Sequence, residues 1–204
     1  MPADASIDPS FPPVEPDPFA LEAFEELAAR RRTTLRLDRE REVPIDLAER
    51  LCQLATWAPN HKRTWPWRFA LLVGGARARL GDLTAEQLVA EGVTDDAKLA
   101  KARTKYLRAP MMLAVGAAPH PDPELHGENR DAVAAAVQTL LLGATAVGLG
   151  SFWASGAPLR SAAVRELCGF EPDDRIVALV YLGWPAGEVP VPERPPAPVV
   201  VVDR

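Results

Sequence analysis

The chain is poor in the residues that build redox-paired and metal centres. Its two cysteines, Cys52 and Cys168, stand in no metal or redox spacing, and each lies in an apolar helical pattern. Buried, reduced thiols are therefore expected, as suits a reducing cytoplasmic compartment. Three histidines, His61, His120 and His126, show no ligand-type spacing, so no metal site is expected. Positive charge is not in excess: the formal net charge is -5, with acids and bases mixed along the chain. That argues against a nucleic-acid backbone as the main partner, because such proteins concentrate cations. The N-terminus lacks a basic start and an apolar run, so no signal peptide is expected.

Two phosphate signatures are also missing. No glycine-rich loop ends in Gly-Lys-Ser/Thr. In Gly148-Leu149-Gly150-Ser151-Phe152-Trp153 the third glycine position of a dinucleotide fingerprint is filled by Trp153, and the glycines follow a helix instead of leading into one. No nucleophile elbow surrounds Ser155, which weakens an esterase reading. Only residues 132–149 approach the ~20 apolar residues of a membrane span. They are largely Ala and Gly, include Gln138, Thr139 and Thr145, and have no companion span, so a buried central helix and no membrane contact are expected.

What remains is an ordinary globular composition: 204 residues, 48% hydrophobic and 25% charged, enough for one self-sufficient core. Residues 1–18, rich in Pro and Asp, read as a disordered tail. The domain itself is expected over 19–190, and residues 191–204 form a Pro-rich extension. Helices are expected at 19–32 and 45–57, the second with the cleanest amphipathic spacing and with Pro44 and Pro59 at its ends. Buried strands are expected at 67–73, 110–118 and 175–183, surface helices at 76–92 and 95–107, a loop at 119–126, a long apolar helix from there to about Leu149, and a brief helix at 161–168. Residues 199–202 read as a candidate last strand that reaches a second subunit. Strict βαβ alternation is absent, which favours an α+β arrangement. A helix apolar on every side must be covered on every side, so a homodimer packing helix against helix is expected.

Three segments concentrate chemistry. Arg30-Arg31-Arg32-Thr33-Thr34 ends the first helix; the cations complement the helix dipole, and Arg also presents a planar fork matched to phosphate oxygens. Residues 57–67, from Trp57 through Asn60, His61 and Lys62 to Trp65 and Trp67, are unusually dense in aromatic, amide and cationic groups for a connector. Residues 148–158 end the apolar helix and expose backbone beside Trp153 and Ser155.

Taken in order, Arg31-Arg32-Thr33, Ala58-Pro59-Asn60-His61 with Pro66-Trp67-Arg68-Phe69, Trp153-Ala154-Ser155-Gly156, and Tyr181-Leu182-Gly183-Trp184-Pro185 resemble the FMN-dependent nitroreductase family in its short, minimal branch. The resemblance implies an α+β nitroreductase-like fold, with a central mixed or antiparallel sheet flanked by helices in a domain-swapped type of dimer. It implies FMN at the subunit boundary and NAD(P)H as reductant. The reaction implied is ping-pong hydride transfer to a nitroaromatic, quinone or enal acceptor. Arg31 and Arg32 would hold the FMN phosphate with Thr33; Trp57 and His61 would contact the cofactor; Trp153, Ala154 and Ser155 would lie along its ring. No side chain is required as a catalytic acid or base, because the flavin supplies the redox chemistry. Trp57 and Ala154 stand where relatives in this branch commonly have Arg, and Arg194 is a candidate replacement cation. Relatives that consume flavin, remove halogen or dehydrogenate, and a non-catalytic flavin-binding protein, are the alternatives.

Overall fold

The computed structural model describes residue 15 and residues 17–203. The expected N-terminal tail falls almost wholly outside the described residues. Helix α1 (Pro18–Arg30) opens where the Asp17 carboxylate accepts the Phe19 N–H at 2.9 Å and Pro18 presets the first turn. It buries none of its side chains; Phe19, Leu21 and Phe24 are more than half exposed. Then come α2 (Ile45–Ala55), β1 (Trp67–Leu72), α3 (Gly75–Ala90), α4 (Asp96–Thr104), β2 (Met111–Ala117), α5 (Pro123–Ala146), β3 (Gly150–Ala154), α6 (Ala162–Leu167) and β4 (Arg175–Gly183).

The four strands form one sheet in the order β1-β2-β4-β3, and every pairing is antiparallel. The two inner strands, β2 and β4, are buried on both faces, which is why they read as unbroken apolar runs. One face carries Leu113, Val115 and Val180 against α2 and α5, with Leu51, Ala55, Val133, Val137 and Leu140. The other carries Met112, Ala114, Leu179 and Tyr181 against Leu80, Leu83, Tyr106 and Val164.

Several expectations change. α5 begins at Pro123, capped by the Asp122 carboxylate on Glu124 N–H, so the polar loop before it is shorter than 119–126 and the helix longer. It ends at Ala146, and Gly148 takes φ +80 to turn the chain into β3, a strand hidden in sequence by its glycine and serine start. α5 is also not covered all round by its own chain: Asp131, Ala135, Gln138 and Ala146 are exposed along one stripe. α3 is more than a surface helix, since Leu80, Gly81, Leu83, Thr84 and Ala85 are buried. Residues 199–202 form no strand in this chain and are exposed. Cys52 is buried but Cys168 only half so; burial pushes the Cys52 thiol up to about 12 and Cys168 to about 11. No described helix is long and apolar enough to cross a membrane.

Candidate functional site

After α1 the chain runs in extended form along the start of β3. Thr33 bridges Ser151, Thr34 N–H donates to Ser151 O at 2.9 Å, and Leu37 bridges Pro185. Asp38 N–H donates to Trp184 O at 2.8 Å, and Ala186 N–H to Arg36 O at 3.0 Å. Residues 31–38 are thus stitched between β3 and the chain leaving β4. The fit depends on Gly150: a Cβ there would stand 2.7 Å from Thr34 Cγ2 and 2.9 Å from Leu37 Cδ2.

This seam gathers cations. Arg31, Arg32, Thr33, Arg36, Pro192 and Arg194 line a cavity of about 430 Å³ in which Glu188 is the one acid. Arg32 donates through Nη1 to Arg31 O at 2.8 Å, while its Nε is buried with no partner among the described residues. Arg30 differs: it points back to Glu26 at 3.7 Å within α1. An unpaired buried guanidinium N–H beside three further arginines is costly unless an anion meets it. A phosphate-bearing group fits this donor set. Arg36 escaped the sequence reading; its signal was a fourth arginine close behind the run, visible only once the strand placed it on the same side.

Along the same edge, Trp153 and Ala154 pair with Val180 and Leu179 on β4. Trp153 is 36% exposed and Ser155 is exposed just past the strand. Arg31, Arg32, Thr33, Trp153, Ala154 and Ser155 are therefore neighbours on one border of the sheet.

His61 is not among them. Its loop lies where β1 begins, at the far end of the opposite edge strand: Ala118 N–H, just past β2, donates to Pro66 O at 2.7 Å. Three strand spacings and the length of β2 put this corner on the order of 25 Å from the arginine seam. The loop is rigidly held there. Asn60 donates through Nδ2 to Thr64 Oγ1 at 2.9 Å and accepts Trp65 N–H on Oδ1 at 2.9 Å. Thr64 in turn donates to Oδ1 of Asn129, which is 2% exposed on α5 and donates to Ala118 O at 3.1 Å. Lys62, Arg63 and Trp65 are held at φ +57, +51 and +50, a conformation that non-glycine residues keep only when the surroundings enforce it. His61 is exposed, with Nδ1 2.6 Å from Glu128 Oε2. Trp57, just past α2, is 64% exposed, and Trp65 is 60% exposed. Thr64 and Asn129 were not recognisable as site-building residues in the sequence, because their partnership spans 65 positions.

Comparison with known proteins bears on this geometry. The family model described as "Nitroreductase family" matches residues 28–184. The protein named "Putative NAD(P)H nitroreductase YdjA" from Escherichia coli (strain K12) is 35% identical over 129 residues, 63% of this chain and 70% of its own length. The 5,6-dimethylbenzimidazole synthase of Rhodospirillum rubrum is 32% identical, over 78% of this chain and 86% of its own. Among solved structures, a nitroreductase-like family protein from Bacillus cereus superposes with a TM-score of 0.73 at 26% identity, covering 84% of this chain and 90% of that one. A nitroreductase with bound FMN from Bacteroides fragilis NCTC 9343 gives 0.68 at 21% identity, covering 88% and 98%, a likeness of fold.

Proposed function

The chain belongs to the nitroreductase family, and on that premise we propose that it is an FMN-dependent NAD(P)H oxidoreductase acting as a homodimer on small nitroaromatic, quinone or enal acceptors. The observation that carries this reading is the separation of its two halves. The arginine seam and the His61 loop occupy opposite corners of one sheet, so they can serve one cofactor only if each site takes its seam from one copy and its loop from another. Two further features support the dimer. α1 has 13 residues and no buried side chain, a length that is marginal in water without packing. The exposed stripe on α5 offers a mostly small, uncharged surface, broken by Asp131, for a second copy.

Arg31, Arg32 and Arg36 would bind the FMN phosphate, Arg32 through its unpaired Nε, with Arg194 closing over it from the C-terminal extension and Thr33 adding a hydroxyl. Trp153, Ala154 and Ser155 would border the ring, and the partner's loop, with its own copies of Trp57 and His61, would cover it and exclude water. Bound FMN would supply the hydride chemistry that links NAD(P)H to the acceptor. Arg31 and Arg32, with Arg36, would hold the cofactor in register while two different molecules visit in turn. The residues in place of the arginines common at positions 57 and 154 leave that face aromatic and uncharged, which favours flat apolar acceptors. The cysteine usage supports a cytoplasmic location.

The test is direct. The purified protein is expected to be yellow, to release FMN on denaturation, and to oxidise NAD(P)H when a quinone is supplied; colourless protein that FMN cannot reconstitute overturns the reading. The likeness to 5,6-dimethylbenzimidazole synthase over most of the chain favours one second reading, consumption of the flavin itself with oxygen. Oxygen uptake with loss of FMN absorbance, and no quinone-dependent turnover, would select it.

A further inference from the structure

Away from the arginine seam, four cations converge on a second cavity. Arg39, Lys101, Thr104, Lys105, Leu107 and Arg108 line a space of about 340 Å³, and no carboxylate lines it. They come from different parts of the chain: Arg39 from the turn before α2, Lys101 and Thr104 from the last turn of α4, the other three from the 3-10 turn Lys105–Arg108 that follows. None of the four cations forms a salt bridge among the described residues. Asp38, one residue before Arg39, turns its Oδ1 to the N–H groups of Glu40 and Arg41, and Glu40 and Glu42 lie with Arg39 on a different cavity.

Cations at a helix C-terminus complement its dipole, which accounts for Lys101 and in part for Lys105. It does not account for Arg39 arriving from another element, nor for Arg108. The Arg108 guanidinium lies 4.6 Å from the centre of the Tyr181 ring and 5.5 Å from that of Phe152. Tyr181 stacks on both Phe152 and Tyr106, and Lys105 covers Tyr106 at 4.9 Å. The two cations thus rest on buried aromatic rings behind the cavity wall, which fixes where their charges sit. Lys105 is half-buried and its pKa is lowered, first by burial and then by Arg108 and Lys101. Like charges held together without an acid repel, and an anion would relieve the repulsion. A fork-shaped guanidinium beside point-charge ammonium groups suits a phosphate. The space exceeds one phosphate group, and the exposed side of Leu107 gives the remainder an apolar wall.

We propose that this cavity binds the phosphomonoester or diphosphate group of a small molecule, separately from the cofactor phosphate. Only the possibility that this group belongs to the nicotinamide reductant rests on the oxidoreductase reading. Pyrophosphate is the probe, added at constant ionic strength to FMN-saturated protein, with the melting temperature and calorimetric affinity as readouts. A saturable rise in melting temperature is expected. Lys101→Ala with Lys105→Ala should abolish it and weaken pyrophosphate roughly tenfold per lysine, while Arg103→Ala, on the same helix outside the cavity, should leave it intact. Because Lys101 and Lys105 also complement the helix dipole, the rise in the double variant is read against its own melting temperature without pyrophosphate. The same rise in a protein carrying Arg31→Ala and Arg32→Ala makes the result independent of flavin. In the double variant a higher KM for NADPH alone assigns the group to the reductant's phosphomonoester and a higher KM for both reductants to its diphosphate; no change in either assigns it to another molecule. No saturable rise in the wild type, or an undiminished rise in the double variant, overturns the proposal.

Discussion

Thr64 donates its hydroxyl to the buried side-chain oxygen of Asn129, and through that bond the loop ahead of β1 is fastened to α5. Asn129 spends its other end on Ala118 O, so one residue fixes a loop and the exit of β2 together. Asn129→Ala strands both partners, and because Thr64 and Ala118 are half-buried the cost is toward the lower end of about 1–3 kcal/mol for each. Urea unfolding is expected to show that loss, and Thr64→Val a smaller one. If the loop covers the flavin of the other subunit, both variants should also bind FMN more weakly by fluorescence titration; unchanged affinity would detach the loop from the cofactor.

Removing a guanidinium from the seam should weaken FMN without unfolding the protein. Arg32→Ala is expected to cost at least about tenfold in affinity, the lower end for a charge-assisted hydrogen bond. Arg36→Ala and Arg194→Ala should cost less each, because each is one of several cations around the same space. A full-affinity Arg32→Ala variant would contradict the assignment.

Gly150→Ala places a methyl against Thr34 and Leu37, where the backbone is already stitched. Overpacking of this kind costs about 1–3 kcal/mol. The thermal midpoint should drop and FMN affinity should fall with it, since residues 31–38 must move. Gly148→Ala makes a useful contrast, straining a positive φ without touching the seam.

Ala135→Glu puts a charge in the middle of the exposed α5 stripe. Sedimentation is expected to shift from twice the chain mass to once, and flavin should be lost as the dimer separates. A variant that stays dimeric would locate the interface elsewhere.

Cys52 reports on pH. Its thiol has a pKa of about 12 in the fold, mainly through burial, against 9.0 for an ordinary thiol. Between those values the native state keeps a proton that the unfolded chain releases, so stability falls as pH rises from about 9 toward 12. Below pH 9 both states are protonated and the effect vanishes. Cys52→Ala should flatten the alkaline decline in denaturation experiments, and Cys52 in the native protein should resist alkylating reagents at pH 8.

How much of this was readable beforehand follows from the range of each interaction. β4 was readable to the residue, because a strand buried on both faces is apolar at every position. α2 was readable from its spacing and prolines, although its last turn ended two residues early. β3 was not, since Gly150 and Ser151 are poor strand residues that pair only because Gly183 and Leu182 stand opposite. The start of α5 was readable in principle, the pair Asp122-Pro123 repeating the Asp17-Pro18 signal of α1, but three prolines and two histidines within 119–126 resembled a longer loop.

From the order of residues alone came the resemblance to the family, the α+β class and the types of side chain that would meet a phosphate; that every strand pairing is antiparallel came from the fold. The family rests on a resemblance of four motifs taken in order, and the rest on local chemistry: helical period, strand hydrophobicity, the fork of an arginine. Only the folded chain decided which of these residues share a place. Sheet order separates the His61 loop from Arg31 and Arg32, while close packing at Gly150 draws Arg36 into the seam. Such pairings depend on through-space distance between segments far apart in sequence, and that distance exists only once the strands have chosen their neighbours.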